Sequence, residues 1–168
     1  MIKLTKKSIA LLLKQRFAEE DISLKDLPNP SLLLDGVKGA KRVAKAILNK
    51  EKITIVGDYD VDGVVSTTIL SEFFEKIAYP VDFIIPNRFT DGYGVSPKIL
   101  EQINADVVIT VDNGISAVQA AIVAKNKGID LIITDHHTVG EELPDAYAII
   151  NPKQDNCTYP FKEICGAQ

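Results

Sequence analysis

Three short segments of this 168-residue chain place carboxylates and imidazoles where an apolar run ends. Asp58, Asp60 and Asp62 lie in DYDVDG, directly after ITIVG; Asp112 follows VVITV; Asp135, His136 and His137 follow DLIIT. His136 and His137 are the only two histidines present. An aspartate after a strand serves most often as a helix cap or a turn residue. The set resists that explanation. Neighbouring carboxylates repel one another unless protons, basic groups or cations neutralise them, and no Lys or Arg occurs between Gly57 and Glu75. A bound metal is the economical answer. Carboxylates with one or two imidazoles suit Mn²⁺, with Mg²⁺ acceptable where oxygens dominate. Zinc more often recruits cysteine or additional histidine. A carboxylate-rich cluster of this kind can hold two ions roughly 3.5–4 Å apart, orient a water in line with a phosphorus and stabilise the leaving oxygen. Phosphoester hydrolysis follows as a reaction class, and the substrate stays open.

The elements that must position these groups are legible from residue 53 onward. Ile53–Gly57, Val81–Ile85, Val107–Val111, Asp130–Thr134 and Tyr147–Ile150 are short apolar runs and predict five strands. Helices are expected from about Val64 to Ile77, from Ser96 as N-cap with Pro97 at the first position, and from about Ser116 to Lys127, where Gly128 stops the last. Apolar strands alternating with helices predict an α/β fold: a doubly wound, mainly parallel sheet with helices on both faces. In such sheets the reactive groups gather outside the carboxyl ends of the strands. That is where the aspartates and histidines fall.

Ahead of the sheet, Thr5–Phe17 has helical spacing with Ile9, Leu12, Leu13 and Phe17 on one face. DLPNPSLLLDG reads as a loop with a short helical turn, and Val37–Leu48 as a second helix. The expected division is a helical N-terminal leader, residues 1–50, and a catalytic domain, residues 51–168. Lys38, Lys41, Arg42 and Lys45 share one face of the second helix. Such a stripe suits a nucleic-acid backbone, although a solvated helix face is the commoner role.

Composition limits the alternatives. Hydrophobic residues make up 46% and charged residues 25%, which describes a folded globular chain rather than a disordered one. No apolar run approaches the roughly 18 residues of a membrane span, and a cytoplasmic location with no membrane contact is expected. Cys157 and Cys165 have no zinc-site spacing and read as ordinary thiols. Net charge is −4, divided into +6 over residues 1–50 and −10 over residues 51–168. An acidic body repels nucleic acid unless its carboxylates are metal ligands whose charge bound cations offset.

The blocks VGDYDVDG, PNRFTDGYG, VDNGIS and TDHH, in that order, resemble the DHH phosphoesterase superfamily. The aspartate-rich first block is similar to the single-strand DNA exonuclease branch. The oligoribonuclease, cyclic-dinucleotide and pyrophosphatase branches usually open that block with histidine. The leader from about Leu27, and the later stretches LPDAYAIINPK and EICGAQ, share the resemblance.

The resemblance implies Asp60 and Asp62 as metal ligands with Asp58 a ligand or its neighbour, Asp112 bridging two metals, and His136 as the metal-binding histidine. It implies that His137 helps hold phosphate while Asp135 orients the histidine pair. Asn87 and Arg88 would contact substrate phosphate. Gly92 and Gly94 would serve loop geometry, and Tyr93 would pack. The catalytic set is then Asp112, His136 and His137, with two Mn²⁺ or Mg²⁺ ions as cofactor and single-stranded DNA as partner. The implied activity is 5′-to-3′ exonucleolytic release of mononucleotides in recombination and repair. The family pattern continues past residue 168 into a fourth motif with a further aspartate ligand and a second, nucleotide-gripping domain, so a fragment lacking them is one expectation. The alternatives are a small phosphodiesterase acting on short oligonucleotides or cyclic dinucleotides, and a non-catalytic binding module. Intact Asp60, Asp62, Asp112, His136 and His137 count against the last.

Overall fold

A computed structural model describes residues 5–16 and 27–167. Phe17, expected on the first helix, lies outside them. Helix α1 (Lys6–Arg16) precedes a 3₁₀ turn at Pro30–Leu32 and helix α2 (Gly36–Asn49). Strand β1 (Ile53–Val56) leads to α3 (Val61–Lys76), β2 (Asp82–Ile84), α4 (Pro97–Gln102), β3 (Val107–Val111), α5 (Val118–Asn126), β4 (Asp130–Thr134) and β5 (Ala148–Ile150). The five strands form one parallel sheet in the order β2-β1-β3-β4-β5. The expected doubly wound α/β architecture is therefore present.

The alternation of β1, β3 and β4 explains both faces. Ile53, Ile55, Val107, Ile109 and Ile132 pack with Ala46 of α2 and Phe74 of α3. Val56, Val108, Leu131 and Ile133 pack on the opposite face with Leu100 of α4 and Ala120, Ala121 and Ala124 of α5. Fully burying a Leu, Ile or Phe side chain stabilises by about 1.5–3 kcal/mol, so these central strands are the rigid part of the scaffold. β2 departs from the expectation of a wholly apolar run. It is three residues long, Asp82 and Phe83 are exposed, and among the described residues β1 is its only partner strand. An edge strand has one ladder to satisfy and one side open to water.

Local chemistry sets the helix ends. Ser96 Oγ accepts from Ile99 N at 3.3 Å and Pro97 opens α4, as expected. Gly128, at φ +70, ends the turn after α5. α3 begins at Val61, three residues before the expected start, because Asp60 Oδ1 accepts from Gly63 N at 2.9 Å and caps the helix inside the aspartate block. α2 is tied to the sheet through Asp35, whose Oδ2 accepts from Ile149 N at 3.1 Å.

The expected basic stripe on α2 is broken. Arg42 is buried, pairing with Glu51 at 2.6 Å and Asp130 at 2.5 Å, while Lys38, Lys41 and Lys45 remain exposed. Cys157 is buried, Cys165 is exposed, and both are free thiols. Among the described residues, no helix is long and apolar enough to cross a membrane.

Candidate metal centre

The strand order reverses between β1 and β3, the crevice where open α/β sheets place ligands. Asp58 leaves the end of β1 and Asp112 leaves the end of β3, and each residue is 1% exposed. Among the described residues none of their four carboxylate oxygens accepts a well-aligned hydrogen bond; the Tyr59 backbone beside Asp58 and His136 Nε2, 3.1 Å from Asp112 Oδ1, are the polar groups near them. Leaving such atoms buried and unpaired is costly. Burial is the main reason that both carboxyl groups titrate above the ordinary aspartate range. For Asp58 the Tyr59 backbone and His137 oppose it while Asp60 and Asp135 add to it. For Asp112, which reaches about 7, Asp60, Asp62 and Asp135 add and His137 opposes. Asp112 also holds a left-handed backbone, φ +63, although it is not glycine. Its N–H donates to Thr134 O at 3.0 Å, so the β3–β4 ladder fixes this strained residue in place.

Two groups of ligand atoms, each gathered within 4.8 Å, meet at this position: Asp58, Asp60 and Asp112 in one, and Asp112, His136 and His137 in the other. Asp112 belongs to both. His136 Nε2 lies 3.1 Å from Asp112 Oδ1 and 3.9 Å from Asp62 Oδ2. The donor set is oxygen with imidazole nitrogen, and among the described residues its most buried oxygens accept no well-aligned hydrogen bond, so it fits one or two divalent cations of the Mn²⁺ or Mg²⁺ type.

Asp62 is placed differently from Asp58 and Asp112. It sits in the first turn of α3, where its charge suits the helix N-terminus. Its Oδ2 accepts from Gly166 N at 2.6 Å and its Oδ1 from Ala167 N at 3.1 Å. Asp135 is saturated. Oδ2 accepts from Ile115 N at 2.8 Å, and Oδ1 accepts from His136 N at 2.7 Å, His137 N at 3.0 Å and the His137 ring Nδ1 at 2.7 Å. With Nδ1–H given to Asp135, His137 keeps Nε2 for other partners, and Tyr93 Oη lies 3.3 Å from it.

Asn87 and Arg88 lie on the exposed turn after β2. Asn87 Oδ1 accepts from Phe89 N at 2.9 Å, closing the turn, and the Arg88 guanidinium sits over the Tyr59 ring at 5.6 Å. Lys98 donates to Asp91 Oδ1 at 3.0 Å and holds the far side of the same turn. Gly92 and Gly94 have φ of +85 and +57, in line with their expected role in loop geometry.

Four contributors were not singled out from the sequence. Asn113 is wholly buried; its Oδ1 accepts from Val95 N at 2.8 Å and its Nδ2 donates to Val56 O at 3.0 Å and Val111 O at 2.9 Å, clamping the ends of β1 and β3 to the Tyr93 loop. Asn151 Nδ2 donates to His137 O at 3.0 Å. A Cβ at Gly63 would lie 2.6 Å from Asp58 O, and one at Gly166 would lie 2.1 Å from Asp112 Oδ1. Gly63 lets α3 pass against the Asp58 main chain, and Gly166 lets backbone pass against the Asp112 carboxylate. Each residue stands inside a block already marked by an aspartate or by the family resemblance, and that proximity was the available signal.

Comparison with known proteins agrees with this geometry. The profile described as DHH family, N-terminal domain, matches residues 52–168. The single-stranded-DNA-specific exonuclease RecJ of Bacillus subtilis (strain 168) is 50% identical over 137 residues, covering 79% of this chain and 17% of that protein. The crystal structure of exonuclease RecJ bound to manganese superposes with a TM-score of 0.69 at 33% identity, over 81% of this chain and 36% of that one. The crystal structure of RecJ in complex with Mn²⁺ from Thermus thermophilus gives a TM-score of 0.64 at 28% identity, over 83% of this chain and 20% of that one. The chain thus spans less than a fifth of the Bacillus relative's length. With the profile covering more than half of its residues, and with the aspartate and histidine blocks converging at the sheet's switch point, the chain belongs to the DHH family.

Proposed function

We propose that this chain is the metal-binding core of a manganese-dependent phosphodiesterase, and that its protein acts as a 5′-to-3′ exonuclease on single-stranded DNA in recombination and repair. The observation that carries the reading is the set of unpartnered, buried carboxylate oxygens on Asp58 and Asp112. Four buried carboxylate oxygens without a well-aligned hydrogen-bond donor, beside the imidazole of His136, suit a bound cation. Relatives that are single-stranded-DNA-specific exonucleases, and similar structures holding manganese, support the choice of substrate and metal. The reading places the protein in the cytoplasm, with residues 1–50 as a leader to the catalytic domain at residues 51–168.

In this reading Asp58, Asp60 and Asp112 would hold one ion, and Asp112, His136 and Asp62 would hold a second. Divalent cations there supply Lewis-acid activation of the attacking water and stabilisation of the phosphoryl and leaving oxygens. The remaining work belongs to the side chains around them. Asp135 fixes the rotation of His137 through Nδ1, so that Nε2, when it carries a proton, donates to a phosphoryl oxygen. Arg88 offers its guanidinium to substrate phosphate. Asn87 shapes the turn that presents it.

The test is manganese-dependent release of mononucleotides from a 5′-phosphorylated single-stranded oligonucleotide. Neighbours of metal ligands cost about 10–100-fold when removed, so Asp112→Ala should lower hydrolysis by more than about 100-fold while the circular-dichroism spectrum is unchanged. Manganese-dependent hydrolysis retained by Asp112→Ala would refute the bridging role.

A further inference from the structure

Three aromatic rings connect the turn after β2 to the histidine pair. The Arg88 guanidinium carbon lies 5.6 Å from the centre of the Tyr59 ring. Tyr59 meets Tyr93 edge to face, with ring centres 6.3 Å apart. Tyr93 meets His137 in the same manner at 6.0 Å, with the Tyr93 hydroxyl 3.3 Å from Nε2. Arg88 and His137, the two groups offered to phosphate, are thereby linked through ring faces and edges.

The electrostatic setting makes the contact at Tyr59 informative. Asp58 and Asp60 flank Tyr59 in the chain, and arginine ordinarily pairs with any carboxylate within reach. Among the described residues, Arg88 forms no ion pair. An ion pair would occupy donors of the fork, whereas the face of a phenol ring attracts the cation and leaves the in-plane N–H groups available. Tyr59 is also the better anchored partner. Its backbone runs between Asp58, buried at the end of β1, and Asp60, the N-cap of α3, whereas Arg88 stands exposed on a turn.

We propose that Tyr59 is a positioning residue: its ring holds the Arg88 guanidinium at the edge of the metal cluster with its donors free for a nucleotide phosphate. The inference rests on the phosphodiesterase reading and goes beyond it, because Tyr59 acts through Arg88 rather than on metal or phosphate. Removing the ring loosens Arg88 and weakens substrate capture without altering the groups around the reacting phosphorus.

The experiment is a double-mutant cycle in the intact protein, read as KM and kcat on a single-stranded oligonucleotide with manganese, beside direct Mn²⁺ titration of each variant. Tyr59→Leu should raise KM on the order of 5-fold, the scale of one cation–π contact, with kcat and Mn²⁺ affinity near those of the unaltered protein. Tyr59→Phe keeps the ring face and should restore KM. In the Arg88→Gln background Tyr59→Leu should have no further effect. Additive effects of the two changes, or a KM unmoved by Tyr59→Leu, would overturn the proposal. So would a Tyr59→Leu protein that has lost Mn²⁺ affinity, which would make the ring a support of the metal loop instead. Absence of hydrolysis in the unaltered protein refutes the phosphodiesterase reading and is distinguishable from all of these.

Discussion

The two ends of the sheet treat buried charge in opposite ways. At the amino end, Arg42 is 8% exposed and meets both Glu51, just before β1, and Asp130, the first residue of β4. At the carboxyl end, Asp58 and Asp112 are more deeply buried, and among the described residues no Lys or Arg pairs with them. At one end the protein's own Arg42 supplies a cation shared by two carboxylates. At the other, carboxylates lie close together with no Lys or Arg paired to them among the described residues, a setting that suits a divalent cation. Charge burial therefore separates the structural end of this fold from the functional one, although aspartates stand at both.

Substitution should act with opposite sign at the two ends. Arg42→Ala leaves Glu51 and Asp130 facing each other without their shared cation. Removing one partner of a buried pair costs about 3–5 kcal/mol; Asp130 is 39% exposed, so water screens part of that loss and about 2–3 kcal/mol is expected. Asp112→Asn should leave the metal-free protein as stable or more so, because it removes a charge that burial and neighbouring carboxylates disfavour. It should also abolish the rise in melting temperature that Mn²⁺ gives the unaltered protein. Urea unfolding with and without Mn²⁺ measures both. Equal destabilisation by the two variants would erase the distinction between the ends.

Acidity sharpens the same contrast. The folded protein pushes the Asp112 carboxyl up to about 7 from an ordinary 3.8. Between those values the folded state binds a proton that the unfolded chain has released, so metal-free stability falls as pH rises through this window and levels off above it. A cation needs the carboxylate form and competes with that proton. Mn²⁺ affinity should therefore climb by up to about tenfold per pH unit below about 7 and flatten above it. Mn²⁺ titrations from about pH 5.5 to about pH 8.5 test this, and in Asp112→Asn the climb should be lost. A flat profile in the unaltered protein would mean that burial does not hold the proton on this carboxyl.

Much of the site was legible because its logic is local. β1, β3 and β4 are apolar runs, an aspartate follows each within two residues, and parallel pairing carries those ends to one edge. What stayed hidden depends on partners distant in sequence. Arg42 reads as one more lysine-like charge on α2 until the fold brings Asp130, 88 residues away, to 2.5 Å. Asn113 reads as part of a turn, and its clamp on Val56 O spans 57 residues. The start of α3 is obscured for a different reason. The aspartate block assigns Asp60 to metal, and a single carboxylate can cap a helix with one oxygen and face a cation with the other.

The smallest effect concerns the exposed lysines of α2. With Arg42 withdrawn into its ion pairs, the stripe is reduced to Lys38, Lys41 and Lys45, and Lys38 lies over the Tyr147 ring at 5.2 Å. α2 runs from Gly36, which with Gly39 shares a groove with His136, toward the amino end of β1. At 1.5 Å per residue, Lys45 is roughly 10 Å farther from the metal end than Lys38, on the order of a Debye length at physiological salt. Lys41→Glu with Lys45→Glu should therefore leave affinity for a single-stranded oligonucleotide within about threefold, and the slope of log affinity against log salt unchanged, since counterions are released only where phosphates are contacted. A drop beyond about tenfold with a shallower slope would show α2 tracking the DNA backbone, and would extend the functional end of the molecule along a helix whose one buried cation serves the structural end.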